Sequence, residues 1–262
     1  MPRGNARRRA TGGATSYEAL AEHYDRFFRW QRAVWRRARR ELLNPLRPHV
    51  TSHCDLGCGT GNTALEFARR GVRVFAVDRS AAMCRLVRRK ARSGHLAIRV
   101  VRADIRSFRL PETVDLVTCE FHSLNHLLRE KDFRRALRRV RAAVRHGGFF
   151  FFDCAHRAMY EAASSEERCY DSRDLFVLRG YQFDAARRRA RFEATWFVRR
   201  GTRWHRFEER IPQVPWEDGK VRALLRREGF EILATRDGAR FVPRHETRRA
   251  RGFVTFYLAR RV

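Results

Sequence analysis

The sequence has almost no lysine, although it is strongly basic. Only three of its 58 basic side chains are lysines, and the 29 acidic residues leave a formal charge of +29. Such an excess often marks a surface that binds nucleic acid. The arginines, however, are spread over nearly every predicted helix rather than gathered in one block. This scatter favours an explanation of the arginine excess by the codon bias of a GC-rich genome. The alternative is a surface that binds polyanions, membrane headgroups or acidic substrates.

Paired cysteines and long apolar runs are also missing. The six cysteines form no CxxC pair and several lie in apolar runs, so we expect reduced thiols in the core. No apolar run approaches the roughly 18 residues of a membrane span, and the N-terminus lacks the apolar stretch of a secretory signal. We therefore expect a cytoplasmic monomer or homodimer that has no membrane partner.

The length and the apolar content predict one α/β domain with an insertion. The chain has 262 residues, of which 44% are hydrophobic, enough for one well-buried core. Residues 1–15 lack periodicity and predict a flexible basic tail. Amphipathic spacing from Tyr17 to Leu43, ended by Pro45, predicts a helical segment over 16–48. The remaining residues, 49–262, form the main domain.

Strand and helix patterns alternate through the main domain. Strands are predicted at 50–56, 72–78, 97–102, 114–119 and GGFFFFDC, with helices at 62–70, 80–92, 131–145 and 217–227. Continuously apolar strands indicate burial under helices on both faces, as in a doubly wound, mostly parallel sheet. The runs FEILAT and FVTFYLA complete seven strands as a hairpin-like edge. Alternating aromatic segments within about 157–215 predict an inserted antiparallel β cap.

A glycine-rich turn follows the first strand, in the segment HCDLGCGTGNTALEFARRG. The strand ends at Asp55, and Gly57, Gly59 and Gly61 precede a helix. Glycines allow a tight turn and a close approach of backbone to a ligand. A dinucleotide fingerprint would place its third glycine one residue later, where the chain has Asn62, which weakens a nicotinamide or flavin interpretation.

The stretch DLGCGTG resembles motif I of the class I S-adenosylmethionine (SAM)-dependent methyltransferases, an acidic residue followed by GxGxG. The resemblance implies a Rossmann-like fold that binds SAM at this turn. Further matches at the family's spacing are Asp78, implied to bind the ribose hydroxyls, and Asp104, implied to face the adenine amine. A helix N-cap for Asp78 and a turn role for Asp104 are the structural alternatives. The cofactor contacts that the resemblance implies in the core are Asp55, Gly57, Cys58, Gly59, Gly61, Asp78, Arg79, Ala103, Asp104, Ile105, Glu120 and Asn125.

Two segments outside the turn extend the resemblance. Leu124, Asn125 and His126 lie in SLNHL, which is similar to the family motif that closes over the methionine half of the cofactor. The N-terminal run SYEALAEHYDRFF resembles a helical lid of small-molecule members, with matches at Tyr17, Tyr24 and Asp25, and implies cofactor contacts from the two tyrosines. Ordinary amphipathic packing of this helix is the alternative.

Methyl transfer from a sulfonium is an in-line displacement, so the protein mainly aligns the acceptor and excludes water. An acceptor that must lose a proton needs a base, for which Glu120, His122 and His126 are candidates after the fourth strand. The two histidines are four residues apart and could imitate metal ligands, but no third ligand is convincingly placed. We predict no metal.

The cap is the part of the sequence that bears on the acceptor. Tyr181, Trp196, Trp204 and Arg210 could face it, and cap core or surface is the alternative for the aromatic residues. A cap that encloses a compact acceptor favours a small-molecule methyltransferase. An RNA methyltransferase is an alternative supported by charge alone, since base-modifying members carry NPPY or DPPY where this chain has CEFHSLN. A SAM-binding protein without activity is the third hypothesis.

Overall fold

The computed structural model describes residues 21–262. The predicted tail at 1–15 and the start of the predicted lid, including Tyr17, lie outside the described residues. The strands are β1 Ser52–Leu56, β2 Arg73–Asp78, β3 Ile98–Arg102, β4 Val114–Cys119, β5 Val144–Ala155, β6 Arg168–Ser172, β7 Leu175–Asp184, β8 Arg189–Arg200, β9 Arg203–Gln213, β10 Phe230–Asp237 and β11 Val254–Arg261. The helices are α1 Tyr24–Phe27, α2 Arg29–Leu43, α3 Asn62–Ala68, α4 Ala81–Ser93, α5 Glu130–Ala143, α6 Arg157–Ser164, α7 Asp218–Arg227 and α8 Arg244–Ala250.

Seven strands form the main sheet in the order β10-β11-β5-β4-β1-β2-β3. Strands β1 to β5 pair in parallel, whereas β11 runs antiparallel to both β5 and β10. This arrangement confirms the predicted doubly wound, mostly parallel sheet. The last two strands pair antiparallel and form one edge of the sheet, as predicted, with β10 outermost.

The consecutive phenylalanines of β5 contribute to a hydrophobic core on each face of the sheet, because successive side chains of a strand point in opposite directions. Phe150 and Phe152 pack in one cluster with Phe133 of α5. Phe151 packs on the opposite face with Trp35 of α2. The apolar run therefore fixes a three-layer arrangement that leaves the carboxyl ends of the parallel strands free for a site.

Strands β6 to β9 form a separate four-stranded antiparallel sheet, which corresponds to the predicted cap. Its core includes Trp196 and Phe192, against which Phe27 and Phe28 pack. The single helix expected from Tyr17 to Leu43 is interrupted at Phe28, where φ is −94° and ψ is 20°. The interruption turns aromatic side chains of α1 toward the cap, a tertiary contact that overrides the helical periodicity.

Five of the six free cysteines are buried or half-buried, in keeping with the expected core thiols, but Cys169 on β6 is exposed. The expectation was wrong for Cys169 because it belongs to an edge strand of the cap. Within residues 21–262, no helix combines the length and the apolar character that crossing a membrane requires.

Candidate cofactor and acceptor site

The glycine-rich turn connects β1 to α3 with three left-handed residues. Gly57, Gly59 and Gly61 have φ values of 68°, 52° and 80°, a region that side-chain-bearing residues rarely adopt. Asp55 stabilises the turn, because its carboxylate accepts hydrogen bonds from the Ala64 amide at 3.0 Å and the Thr118 hydroxyl at 3.1 Å. Burial raises the pKa of Asp55 to about 7, with the nearby charge of Glu120 contributing.

Asp78 lies opposite this turn at the end of β2. Its carboxylate accepts hydrogen bonds from the Gly59 amide at 2.9 Å and the Ser80 amide at 2.8 Å, and burial raises its pKa. The N-cap of α4 is Ser80, whose hydroxyl accepts from the Met83 amide. Asp78 is therefore not the cap of this helix.

A cavity of about 440 Å³ opens at the carboxyl ends of these strands. A Cβ atom at Gly59 would meet nothing within 4 Å, so the turn leaves room for a ligand against its backbone. The size is that of an ordinary small-molecule site. The residues around the cavity fit SAM, and the predicted cofactor contacts that line it are Tyr24, Asp55, Gly57, Cys58, Gly59, Asp78, Arg79, Ala103, Asp104, Ile105 and Glu120.

Two predicted cofactor residues support the cavity from behind. A Cβ atom at Gly61 would lie 2.8 Å from Val87, so this glycine packs against α4. The amide of Asn125 is buried, donates to the carbonyls of Ala155 and Val214 and accepts from the Ala155 amide. The structure therefore places neither residue on the cavity wall.

Asp104 lines the cavity but is already paired. Its carboxylate accepts three hydrogen bonds of 2.8 to 2.9 Å from the backbone amide and guanidinium of Arg106, which lower its pKa. A carboxylate has about four acceptor positions. An adenine amine would therefore have to share Asp104 with Arg106, and the adenine contact stays a prediction.

Asp25 connects the N-terminal segment to the glycine-rich turn. Its carboxylate accepts hydrogen bonds from the Thr60 hydroxyl and the Asn62 amide at 2.6 Å and from the Lys90 ammonium at 2.5 Å. Burial opposes ionisation, but these hydrogen bonds outweigh it and lower the pKa of Asp25. Tyr24, the neighbour of Asp25, lines the cavity, whereas the role of this segment as a lid stays a prediction. Asn62 has a structural role through its hydrogen bond to Asp25.

Glu120 is held by a buried ion pair with a residue that the sequence analysis missed. Arg39 of α2 donates to both carboxylate oxygens, at 2.9 and 2.7 Å, and also contacts Glu66. The Thr63 hydroxyl is 3.2 Å from Glu120. Burial raises the pKa of Glu120 while Arg39 opposes this effect. Glu120 is therefore occupied in fixing α2 against the site.

His122 is held by a second buried carboxylate, Asp153 at the end of β5. Asp153 accepts hydrogen bonds from the His122 backbone amide at 2.9 Å and the Trp35 indole at 2.8 Å, and the His122 Nδ1 atom is 2.8 Å away. Phe121 and His122 have φ values of 60° and 56°. Each such residue costs about 1–3 kcal/mol and is typical of functional sites.

The third base candidate, His126, lines the cofactor cavity. Burial lowers its pKa to about 3, so it is neutral near pH 7. Its Nε2 atom is 3.4 Å from the Gln213 amide. In residues 21–262, no group of three potential metal ligands comes together.

A second cavity of about 370 Å³ lies between the N-terminal helices, the cap and the main sheet. Tyr24 and Phe121 line both cavities. His122 and Tyr181 also line the second cavity. One of the predicted acceptor residues, Tyr181, therefore lies at a cavity, and its contact with an acceptor stays a prediction.

The other predicted acceptor residues lie elsewhere. Trp196 is 2% exposed in the cap core, with its ring 4.9 Å from that of Phe27. Trp204 is 49% exposed and Arg210 is mostly exposed, 3.8 Å from Glu193. These positions follow from the alternation along β8 and β9, which directs Trp196 into the cap core and leaves Arg210 on its outer face.

Comparisons with known proteins agree with this geometry. Residues 54–148 match a family model described as a methyltransferase domain. A Geobacillus protein named as a candidate methyltransferase is 25% identical over 228 residues, which are 83% of this chain and 90% of the relative. Together, the family match, the motifs and the fold identify the chain as a class I SAM-dependent methyltransferase.

Solved structures show the same fold over nearly the whole chain. A SAM-dependent methyltransferase from Clostridium acetobutylicum has a TM-score of 0.77 at 22% identity, covering 93% of this chain and 98% of that one. The sugar N-methyltransferase KedS8 from Streptoalloteichus has a TM-score of 0.74 at 19% identity, covering 100% and 98%. The cap is therefore included in the shared fold.

Proposed function

We propose that the chain transfers the methyl group of SAM to a nitrogen or oxygen atom of a small molecule that occupies the second cavity. The observation that carries the proposal is a pair of cavities that share Tyr24 and Phe121 as lining residues. A volume of about 370 Å³ suits a small acceptor. The similarity to KedS8, named as a sugar N-methyltransferase, supports the same class of acceptor.

Bound SAM supplies a methyl group activated by its sulfonium. The residues that would hold SAM are the backbone at Gly57 and Gly59, which would approach it closely, and Asp78, which would accept hydrogen bonds from its ribose. Tyr24 covers the cavity because Asp25 fixes the lid to the turn. The lid and the cap together exclude water, so that alignment of the two reactants does most of the work.

We assign the role of base to His122. An amine or hydroxyl acceptor must lose a proton, and His122 is the base candidate that lines the second cavity. The His122 Nδ1 atom lies 2.8 Å from an Asp153 oxygen but without hydrogen-bond geometry, and we assign the uptake of the proton to Nε2. Glu120 is paired with Arg39 and is therefore not available as a base. His126 is too weak a base at a pKa of about 3.

A screen for methyl transfer tests this function. Purified protein is incubated with radiolabelled SAM and small amines, phenols, amino sugars, amino acids or tRNA, and labelled product is measured. We expect product from a small molecule and a loss of at least 100-fold in His122→Gln. His205→Gln, at an exposed cap position, is the matched control.

Two outcomes would contradict the proposal. Transfer to tRNA with none to small molecules would favour the RNA alternative. SAM binding without transfer to any acceptor would favour a binding protein without activity.

A further inference from the structure

The second cavity carries an excess of positive charge. Its charged lining consists of Arg168, Arg179 and Arg249 with Glu166 and Glu246. Glu166 is shared by two of the arginines: it accepts from Arg168 at 2.8 Å and contacts Arg249. The lining therefore contains three positive and two negative side chains, a net charge of +1.

Arg179 is the arginine without a carboxylate. Across residues 21–262, no Asp or Glu oxygen lies within ion-pair distance of its guanidinium, which is 5.4 Å from the centre of the Phe27 ring. Burial lowers the pKa of Arg179; nearby Tyr181 opposes this effect and Arg168 adds to it. An unpaired charge taken out of water destabilises the fold.

The strand register strengthens this observation. Arg179 of β7 lies directly opposite Arg168 of β6. Like charges in this position are destabilising, and on its other side Arg179 faces only Ala194 of β8. The cap thus places a half-buried cation at the cavity wall with the Phe27 ring beside it but no carboxylate partner, as expected of a group that binds a ligand.

We propose that Arg179 binds a carboxylate of the methyl acceptor, so that the acceptor is a small carboxylic acid with an amine or hydroxyl to be methylated. This inference rests on the proposed use of the second cavity. A guanidinium forms paired hydrogen bonds with a carboxylate, and an excess of one positive charge suits a monoanion better than a phosphate dianion. The aromatic walls, which include Trp30 and Trp35, suit an apolar body.

Binding measurements test the carboxylate subsite without requiring turnover. The protein is saturated with S-adenosylhomocysteine and titrated calorimetrically with small acids, each paired with its uncharged primary amide. Benzoate with benzamide and hexanoate with hexanamide are the first pairs, and inorganic phosphate is a separate arm. The variants are Arg179→Gln and the matched control Arg173→Gln, an exposed arginine in the turn between β6 and β7.

We expect at least one acid to bind tenfold or more tightly than its amide in wild type and in Arg173→Gln. Arg179→Gln should lose this preference while its affinity for S-adenosylhomocysteine changes less than twofold. The absence of any acid preference that depends on Arg179 would overturn the inference, as would tighter binding of phosphate than of every acid. Acid preference without methyl transfer in the screen would contradict the enzymatic proposal alone, and transfer without acid preference would contradict the carboxylate subsite alone.

Discussion

Replacing Asp25 with alanine should open the lid and weaken SAM binding about tenfold. The substitution removes hydrogen bonds of 2.5 to 2.6 Å to Thr60, Asn62 and Lys90. The two neutral donors bond an ionised carboxylate and contribute about 1.5–3 kcal/mol each, and the pair with Lys90, whose side chain is 27% exposed, adds up to about 1 kcal/mol. The contacts of the N-terminal segment thus lose about 3–7 kcal/mol. If about 1.4 kcal/mol of this loss is expressed as weaker SAM binding, the affinity falls tenfold.

Calorimetric titration of SAM measures this change, and hydrogen exchange of the amides in residues 24–28 reports whether the lid opens. Glu22→Ala is the matched control, since Glu22 is exposed on the same segment and its only ion pair in the described structure spans 3.9 Å to Arg89. Asp25→Asn, which retains one acceptor oxygen, should give an intermediate affinity. SAM affinity within twofold of wild type in Asp25→Ala would refute the coupling of lid and cofactor.

Three further substitutions test separate parts of the structure. Asp153→Asn should lower kcat at least 100-fold with the acceptor found in the screen, while the SAM Kd changes less than threefold; an unchanged kcat would remove Asp153 from the mechanism. Gly61→Ala places a methyl group 2.8 Å from Val87 at a positive φ, and thermal melting should show a loss of about 2–3 kcal/mol. Gly71→Ala has a similar φ but open space, and its free energy of unfolding should fall by only about 1 kcal/mol. Equal losses in the two variants would disprove the clash with Val87. Hydrogen bonds hold the pKa of Asp115 below its usual value against burial, so its stabilisation is present at neutral pH and disappears as pH falls below about 4. Urea unfolding should show that the free energy of unfolding falls less between pH 6 and pH 2 in Asp115→Asn than in wild type. The same pH dependence in both proteins would contradict this.

The fold could be predicted where apolar patterns are long and uninterrupted. The strand at 114–119 was predicted with the bounds that the structure has, because every residue of β4 is buried and nothing competes with the pattern. The N-terminal helix was predicted as one element because its periodicity continues through Phe28. Its interruption depends on the cap core, which is more than 140 residues away in sequence.

The same distinction applies to the site. The glycine-rich turn and Asp78 were recognisable because each functional group lies in a short segment with a fixed spacing. Arg39 reaches Glu120 across 81 residues, and nothing in the sequence separates it from the many other arginines. Asp153 had a weak signal, a carboxylate at the end of the apolar run FFFF. Arg179 became notable only when the structure showed a cation opposite a cation.

Binding of SAM to the purified protein is the most direct test of the assigned cofactor site. Calorimetric titration should show one equivalent of SAM bound per chain, no comparable binding of NAD, and a loss of at least tenfold in affinity in Asp78→Ala. Asp171→Ala, at an exposed cap position, should bind SAM as wild type does. Wild-type protein that binds NAD but not SAM, or binds neither, would contradict the assignment of the cavity at Asp55, Gly57 and Gly59.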